Sequence, residues 1–290
     1  MKTLTETWAE SNRRFENQLA KLYEDHGEPQ GRLFKAMSYS LNAGGKRLRP
    51  FLVYQFCAAC GGREEDADNA ALAIELIHTY SLIHDDLPAM DNDDYRRGRL
   101  TNHKVYGEAM AILAGDGLLT DAFRLLASSP LPPEMRSACV KLLALEAGPW
   151  GMVGGQALDM LSEERELTEE EVVAIQTRKT GGLIRAACGM GVLCGGGSEE
   201  QFSAAMRYAD DVGLAFQIRD DVLDVIGDAA KLGKATGMDG KKNTFVRLRG
   251  LEGCEALIKS RTEAACEALS VFPEPRILAE LARALADRDR

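Results

Sequence analysis

The chain has 290 residues, 45% hydrophobic and 28% charged, enough to bury a large core within one domain spanning 1–290. Its net charge of −10 argues against non-specific nucleic-acid binding, which draws on a basic surface. No apolar run reaches membrane-span length and Met1 to Gln18 is polar, so neither stable membrane insertion nor a secretory leader is expected, and the seven cysteines read as reduced packing residues of a cytoplasmic protein.

Helical periodicity dominates and strand alternation is scarce, which predicts an all-α domain of ten or more helices. Residues 2–25 interleave charges with Trp8, Phe15, Leu19 and Leu22, as an amphipathic helix does. A second helix over 31–42 ends at Gly44-Gly45. Lys46, Arg47 and Arg49 follow. Arg49-Pro50 opens a third helix, since proline is tolerated in a first turn, and it stops at Gly61-Gly62. Cys57 and Cys60 have CxxC spacing without a second pair or a preceding strand, so no metal or redox role is assigned to them.

The central helix runs from about Asp66 to the Asp91 region. Leu72, Ile74, Leu76 and Ile77 lead through His78 and Tyr80 into Asp85, Asp86 and Asp91, and Asp93, Asp94, Arg96, Arg97 and Arg99 come after. Desolvated carboxylates repel one another unless paired, protonated or bound to cations. Asp85 and Asp91 are six apart, on different faces of a straight helix. Pro88 lacks an N–H and clashes with the carbonyl of His84, so Leu87-Pro88 is expected to act as a two-residue insertion that swings Asp91 back beside Asp85. Asp93, Asp94 and Arg99 read as a solvated, mutually paired surface.

Helix resumes over 105–128, and Ser128 to Pro133 is a loop. Helices follow at 134–147 and 150–162. Thr168 to Glu171 looks like a capping box. Gly181-Gly182 interrupts the helix it opens, just after Lys179-Thr180, and an apolar helix then runs to Gly195-Gly196-Gly197. Ser198 to Gln201 is a second capping box, opening a long helix with Gln217, Asp220, Asp221 and Asp224. Asp220 and Asp224 share a face, one turn apart. Gly227 to Lys242 reads as a mobile loop, and helices over 251–270 and 276–288 close the chain. Two aspartate clusters inside apolar helices, with no Cys or His at metal spacing, point to a hard cation such as Mg2+, held by carboxylates and substrate phosphates.

Five ordered motifs carry a resemblance: Gly44-Gly45-Lys46-Arg47-Leu48-Arg49-Pro50, Asp85-Asp86-Leu87-Pro88-Ala89-Met90-Asp91, Gly155-Gln156-Ala157-Leu158-Asp159, Lys179-Thr180-Gly181, and Phe216-Gln217 leading into Asp220-Asp221-Val222-Leu223-Asp224. From about residue 30 to about residue 250 the chain resembles the trans-isoprenyl diphosphate synthases, and among them the bacterial short-chain farnesyl diphosphate synthases. The resemblance implies an isoprenoid synthase-like bundle around a deep central cavity, and a homodimer. It implies a head-to-tail condensation in which an allylic diphosphate (dimethylallyl, then geranyl) loses diphosphate and the double bond of isopentenyl diphosphate attacks the cation, giving farnesyl diphosphate.

By the same resemblance, Asp85 and Asp91 ligate two Mg2+ ions and Asp220 a third, with Asp86, Asp221 and Asp224 in support. Arg96, Lys179 and Lys234 contact the allylic diphosphate. Lys46, Arg49, His78 and Arg97 hold isopentenyl diphosphate. Lys179, Thr180 and Gln217 surround the reacting centre, the last two aiming oxygen dipoles at the cation. Either Lys241 or Lys242 closes over the substrate. Tyr80, with Ser81 beside it, sets product length: it lies five residues before Asp85, roughly 7.5 Å back along the helix, where its ring can act as a floor. An aromatic residue there accompanies a C15 product in the family. Three alternatives remain open at this point. A geranylgeranyl diphosphate synthase would make a longer product, a terpene cyclase would need no isopentenyl site, and a non-catalytic partner subunit should have lost aspartates.

Overall fold

The computed structural model describes residues 2–23, 29–162, 165–232 and 244–288. Three helices are buried nearly all round: α3 (Leu48–Ala59), α4 (Glu64–Asp85) and α10 (Gly181–Cys194). Their sequences explain this. Pro50 to Cys57 and Ala70 to Ile77 are unbroken buried runs, and a helix without a polar face has to lie inside. Amphipathic helices cover them: α1 (Leu4–Leu22), α2 (Gly31–Leu41), α6 (Glu108–Ala127) and α7 (Pro133–Ala147). A second apolar cluster joins α9 (Glu169–Lys179) to α11 (Glu199–Leu232) and α12 (Phe245–Ala268), through Val172, Ile175, Ile218, Val222, Phe245 and Ile258. The short α5 (Asn102–Tyr106) precedes α6, α8 (Met152–Met160) precedes α9, and α13 (Arg276–Ala286) closes the described chain.

Both expected capping boxes form, Thr168 with Glu171 and Ser198 with Gln201, and Thr3 with Glu6 makes a third. Five expectations are corrected. First, α4 ends at Asp85 and does not continue toward Asp91. Second, a hairpin of β1 (Tyr95–Arg96) and β2 (Arg99–Leu100) follows it, below the length at which alternation can be read. Third, the helix expected over 105–128 divides at Gly107. Fourth, α11 runs on to Leu232, beyond Gly227 where the loop was expected to begin, so the first part of that segment is helical. The rest of it, with Lys234, Lys241 and Lys242, lies outside the described residues. Fifth, at the far end, α12 starts at Phe245 rather than 251, with a break at Gly250. No helix among the described residues is long and apolar enough to cross a membrane.

Candidate active site

The first aspartate cluster forms where α4 stops. The Leu87 N–H donates to the His84 carbonyl (3.1 Å), and those of Met90 and Asn92 donate to the Leu87 carbonyl (2.9 and 3.1 Å). This turn carries the Asp91 N–H back to the Asp85 carbonyl at 2.8 Å. Asp91 therefore returns to Asp85 as expected, but through a turn that ends the helix and not through an insertion within it. Burial pushes the Asp85 carboxyl up to about 6, with Lys179 opposing and Asp91 adding to the rise. Asp86 is buried and accepts from Arg96 at 2.7 Å. Arg96 thus rests on Asp86, with Asp93 3.8 Å away.

The hairpin turn is Arg97-Gly98, both with positive φ, as a tight two-residue connection requires. It delivers the Arg97 guanidinium to the Gly44 carbonyl. Gly45 has φ 136, a conformation that favours glycine, and a Cβ there would sit 2.9 Å from that guanidinium and push it aside. The Lys46 carbonyl accepts from Trp8 Nε1 at 3.0 Å. Burial lowers Arg49 and Arg97 below the usual guanidinium range. His78 is held well below its ordinary value by burial and by the charges of Arg49, Arg97, Arg47 and Arg96. Among the described residues, the buried Arg49 Nε has no hydrogen-bond partner. The structure thus gathers Arg49, His78 and Arg97 beside the loop that carries Lys46. The pairing expected of Asp93, Asp94 and Arg99 is not what forms: Arg99 stacks on the Tyr39 ring at 4.4 Å, Asp94 pairs with Lys104 at 2.7 Å, and Asp93 faces Arg96.

Near the second cluster, α11 meets α9 at Gln217. Gln217 Nε2 donates to Gln176 Oε1 at 2.9 Å, and Gln176 is one turn before Lys179 on that helix. Lys179 Nζ donates to Asp159 at 2.6 Å. Thr180 is the junction between α9 and α10. Asp221 accepts the Phe245 N–H at 2.8 Å, and burial pushes its carboxyl up to about 6. Asp220 is raised by burial, with Arg288 and Lys46 opposing and Asp224 adding to the rise. Arg288 donates to Asp220, and to the Phe216 carbonyl at 3.1 Å, and lies 3.8 Å over the Phe216 ring.

Tyr80 is 6% exposed, its ring edge-on to His84 at 5.7 Å. Ser81 Oγ donates to the His78 carbonyl at 2.9 Å. Sequence reasoning missed Gln176 and Arg288. Gln176 could have been found from its one-turn spacing to Lys179, whereas Arg288 sits in no motif.

Among the described residues no three His, Cys, Asp or Glu side chains form a group that could hold a metal ion. The donor set is carboxylate oxygen, partly buried at Asp85 and Asp220 and exposed at Asp91. It fits a hard cation that takes one or two carboxylates and completes its shell with water and phosphate oxygens.

Two carboxylate clusters with a group of cations beside them, within one helical bundle, define a protein suited to diphosphate substrates. Residues 30–267 match the polyprenyl synthetase family, and the chain belongs to that family. It is 46% identical over 264 residues to the farnesyl diphosphate synthase of Micrococcus luteus, covering 90% of this chain and 91% of that one. It is 48% identical over 248 residues to the farnesyl diphosphate synthase of Geobacillus stearothermophilus, covering 84% of each. The crystal structure of an FPP/GFPP synthase from Zymomonas mobilis superposes with a TM-score of 0.88 at 36% identity, covering 97% of this chain and 98% of that one.

Proposed function

We propose that the chain is a Mg2+-dependent prenyltransferase that condenses isopentenyl diphosphate with dimethylallyl and then geranyl diphosphate to give farnesyl diphosphate. The observation that carries this reading is the grouping of Arg49, His78 and Arg97, none of which pairs with an aspartate of either cluster: it leaves cations for a second diphosphate beside the aspartates. Asp85, Asp91 and Asp220 would hold three Mg2+ ions, which when bound neutralise the departing allylic diphosphate. Lys179 and Arg96 add positive charge on that side, with Lys234 assigned there by resemblance. Lys46, Arg49, Arg97 and a neutral His78 orient isopentenyl diphosphate. Thr180 and Gln217 lie where α9 meets its neighbours, and Gln176 fixes the Gln217 amide so that its oxygen dipole can favour the allylic cation. The apolar helices exclude water, which would quench that cation.

The same reading makes 1–290 one domain of a cytoplasmic homodimer. Incubation of the purified protein with Mg2+, dimethylallyl diphosphate and isopentenyl diphosphate, followed by chromatography, should yield a C15 diphosphate. Turnover without isopentenyl diphosphate would instead identify a cyclase, and no turnover at all would overturn the reading. A longer product is the second reading, and Tyr80 at the expected floor argues against it.

A further inference from the structure

We infer that Glu75 and Arg47, neither of them placed above on a substrate, are the positioning pair of the isopentenyl diphosphate pocket, locking the loop that carries Lys46 and Arg49 to the helix that carries His78. This inference rests on the proposed condensation and names what organises one of its two diphosphate sites.

Arg47 stands at the start of α3 with φ 51, in the left-handed region, which disfavours residues other than glycine. Its side chain is almost fully buried and holds three elements at once. Nε donates to Glu16 on α1 at 2.8 Å, Nη1 to Glu75 on α4 at 2.7 Å, and Nη2 to the Leu41 carbonyl at the end of α2 at 2.7 Å. The bond to Leu41 closes the loop containing Gly44, Gly45 and Lys46 onto itself. The bond to Glu75 fixes that closed loop against α4.

Glu75 is 2% exposed. It lies three residues before His78, one turn away on the same face of α4. Its carboxylate also acts on Arg49 and Arg97, favouring their charged forms. It is thus a buried counter-charge to the cations that the pocket concentrates. A buried ion pair is weak evidence for stability, because apolar residues of similar volume often replace it without loss. Its clearer consequence here is register: Lys46 precedes Arg47 directly and Arg49 is two residues on, so the geometry of Arg47 sets theirs.

Three variants separate register from stability. Glu75→Gln should raise KM for isopentenyl diphosphate about tenfold while KM for the allylic substrate stays within about twofold. The double variant Arg47→Met/Glu75→Leu removes the pair together but leaves the Leu41 carbonyl and the Arg49 and Arg97 charges without these partners, so its melting temperature should fall while the folded protein still shows the selective rise in KM. Glu16→Gln, at the half-exposed end of the network, should give a smaller rise in the same direction and serves if the buried variants do not fold. An unchanged isopentenyl KM in folded variants overturns the inference while leaving the function intact, as does an equal rise for both substrates. Calorimetry with isopentenyl diphosphate in the absence of metal provides a readout that does not need turnover. Weaker binding by the variants supports the pair, and equal binding overturns it. A wild type that forms no condensation product overturns the proposed function instead.

Discussion

At the residue scale, Tyr80 and Arg288 make opposite lessons. The place of Tyr80, though not its role, is legible in the sequence, because its distance from Asp85 is fixed by helix geometry and α4 is helical over that whole interval. Its ring is buried behind the aspartates, so removing it should lengthen the space available to the growing chain. Tyr80→Ala is expected to shift the product from C15 toward C20 or longer, and an unchanged C15 product on chromatography would defeat the floor assignment. Arg288 is not legible. Its contacts to Asp220 and Phe216 join residues 68 and 72 positions apart in sequence, and no local pattern records them. Because its guanidinium occupies a carboxylate assigned to a cation, Arg288→Ala should tighten substrate-free Mn2+ binding about two- to fivefold, the scale of one partly exposed ion pair. Calorimetry measures this directly, and unchanged or weaker binding would show that the guanidinium and the cation do not compete.

At the element scale, helix starts are readable where a capping box marks them, as at Thr168 and Ser198. Helix ends are harder. Pro88 announces a distortion, but whether the helix continues past it depends on the backbone bonds of the turn, which the residue types do not dictate. The hairpin escapes a reading by periodicity because two-residue strands leave no periodic signal. Close helix packing also depends on contacts the pattern hides. A Cβ on Gly155 would collide with the Lys179 backbone nitrogen, so α8 approaches α9 only because that position has no side chain. Gly155→Ala should separate the two helices, destabilise the protein by about 1–3 kcal/mol in denaturant titration, and weaken the Lys179–Asp159 contact. A variant of wild-type stability would show that the neighbouring backbone yields at little cost.

For the whole molecule, the apolar residues left on the surface are the informative ones. Ile112 and Leu113 lie early in α6, and Leu145 lies late in α7. The two helices are joined by a short connection and run back past each other, which brings these ends together. Trp150, 74% exposed, follows α7, and Leu113 is 52% exposed. A grouping of this kind marks an interaction surface more often than a bare one, and a second copy of the chain is the partner the proposed homodimer supplies. The same helix supports the site, since the Ile112 carbonyl is 3.1 Å from His84 Nε2 and His84 packs on Tyr80. Loss of the partner should therefore reach the product floor as well as the assembly. Leu113→Asp places a charge on this face and is expected to halve the mass measured by light scattering, lower turnover and broaden the range of product lengths. A variant that stays dimeric would move the interface elsewhere, and a monomeric variant with unchanged products would separate the assembly from control of chain length.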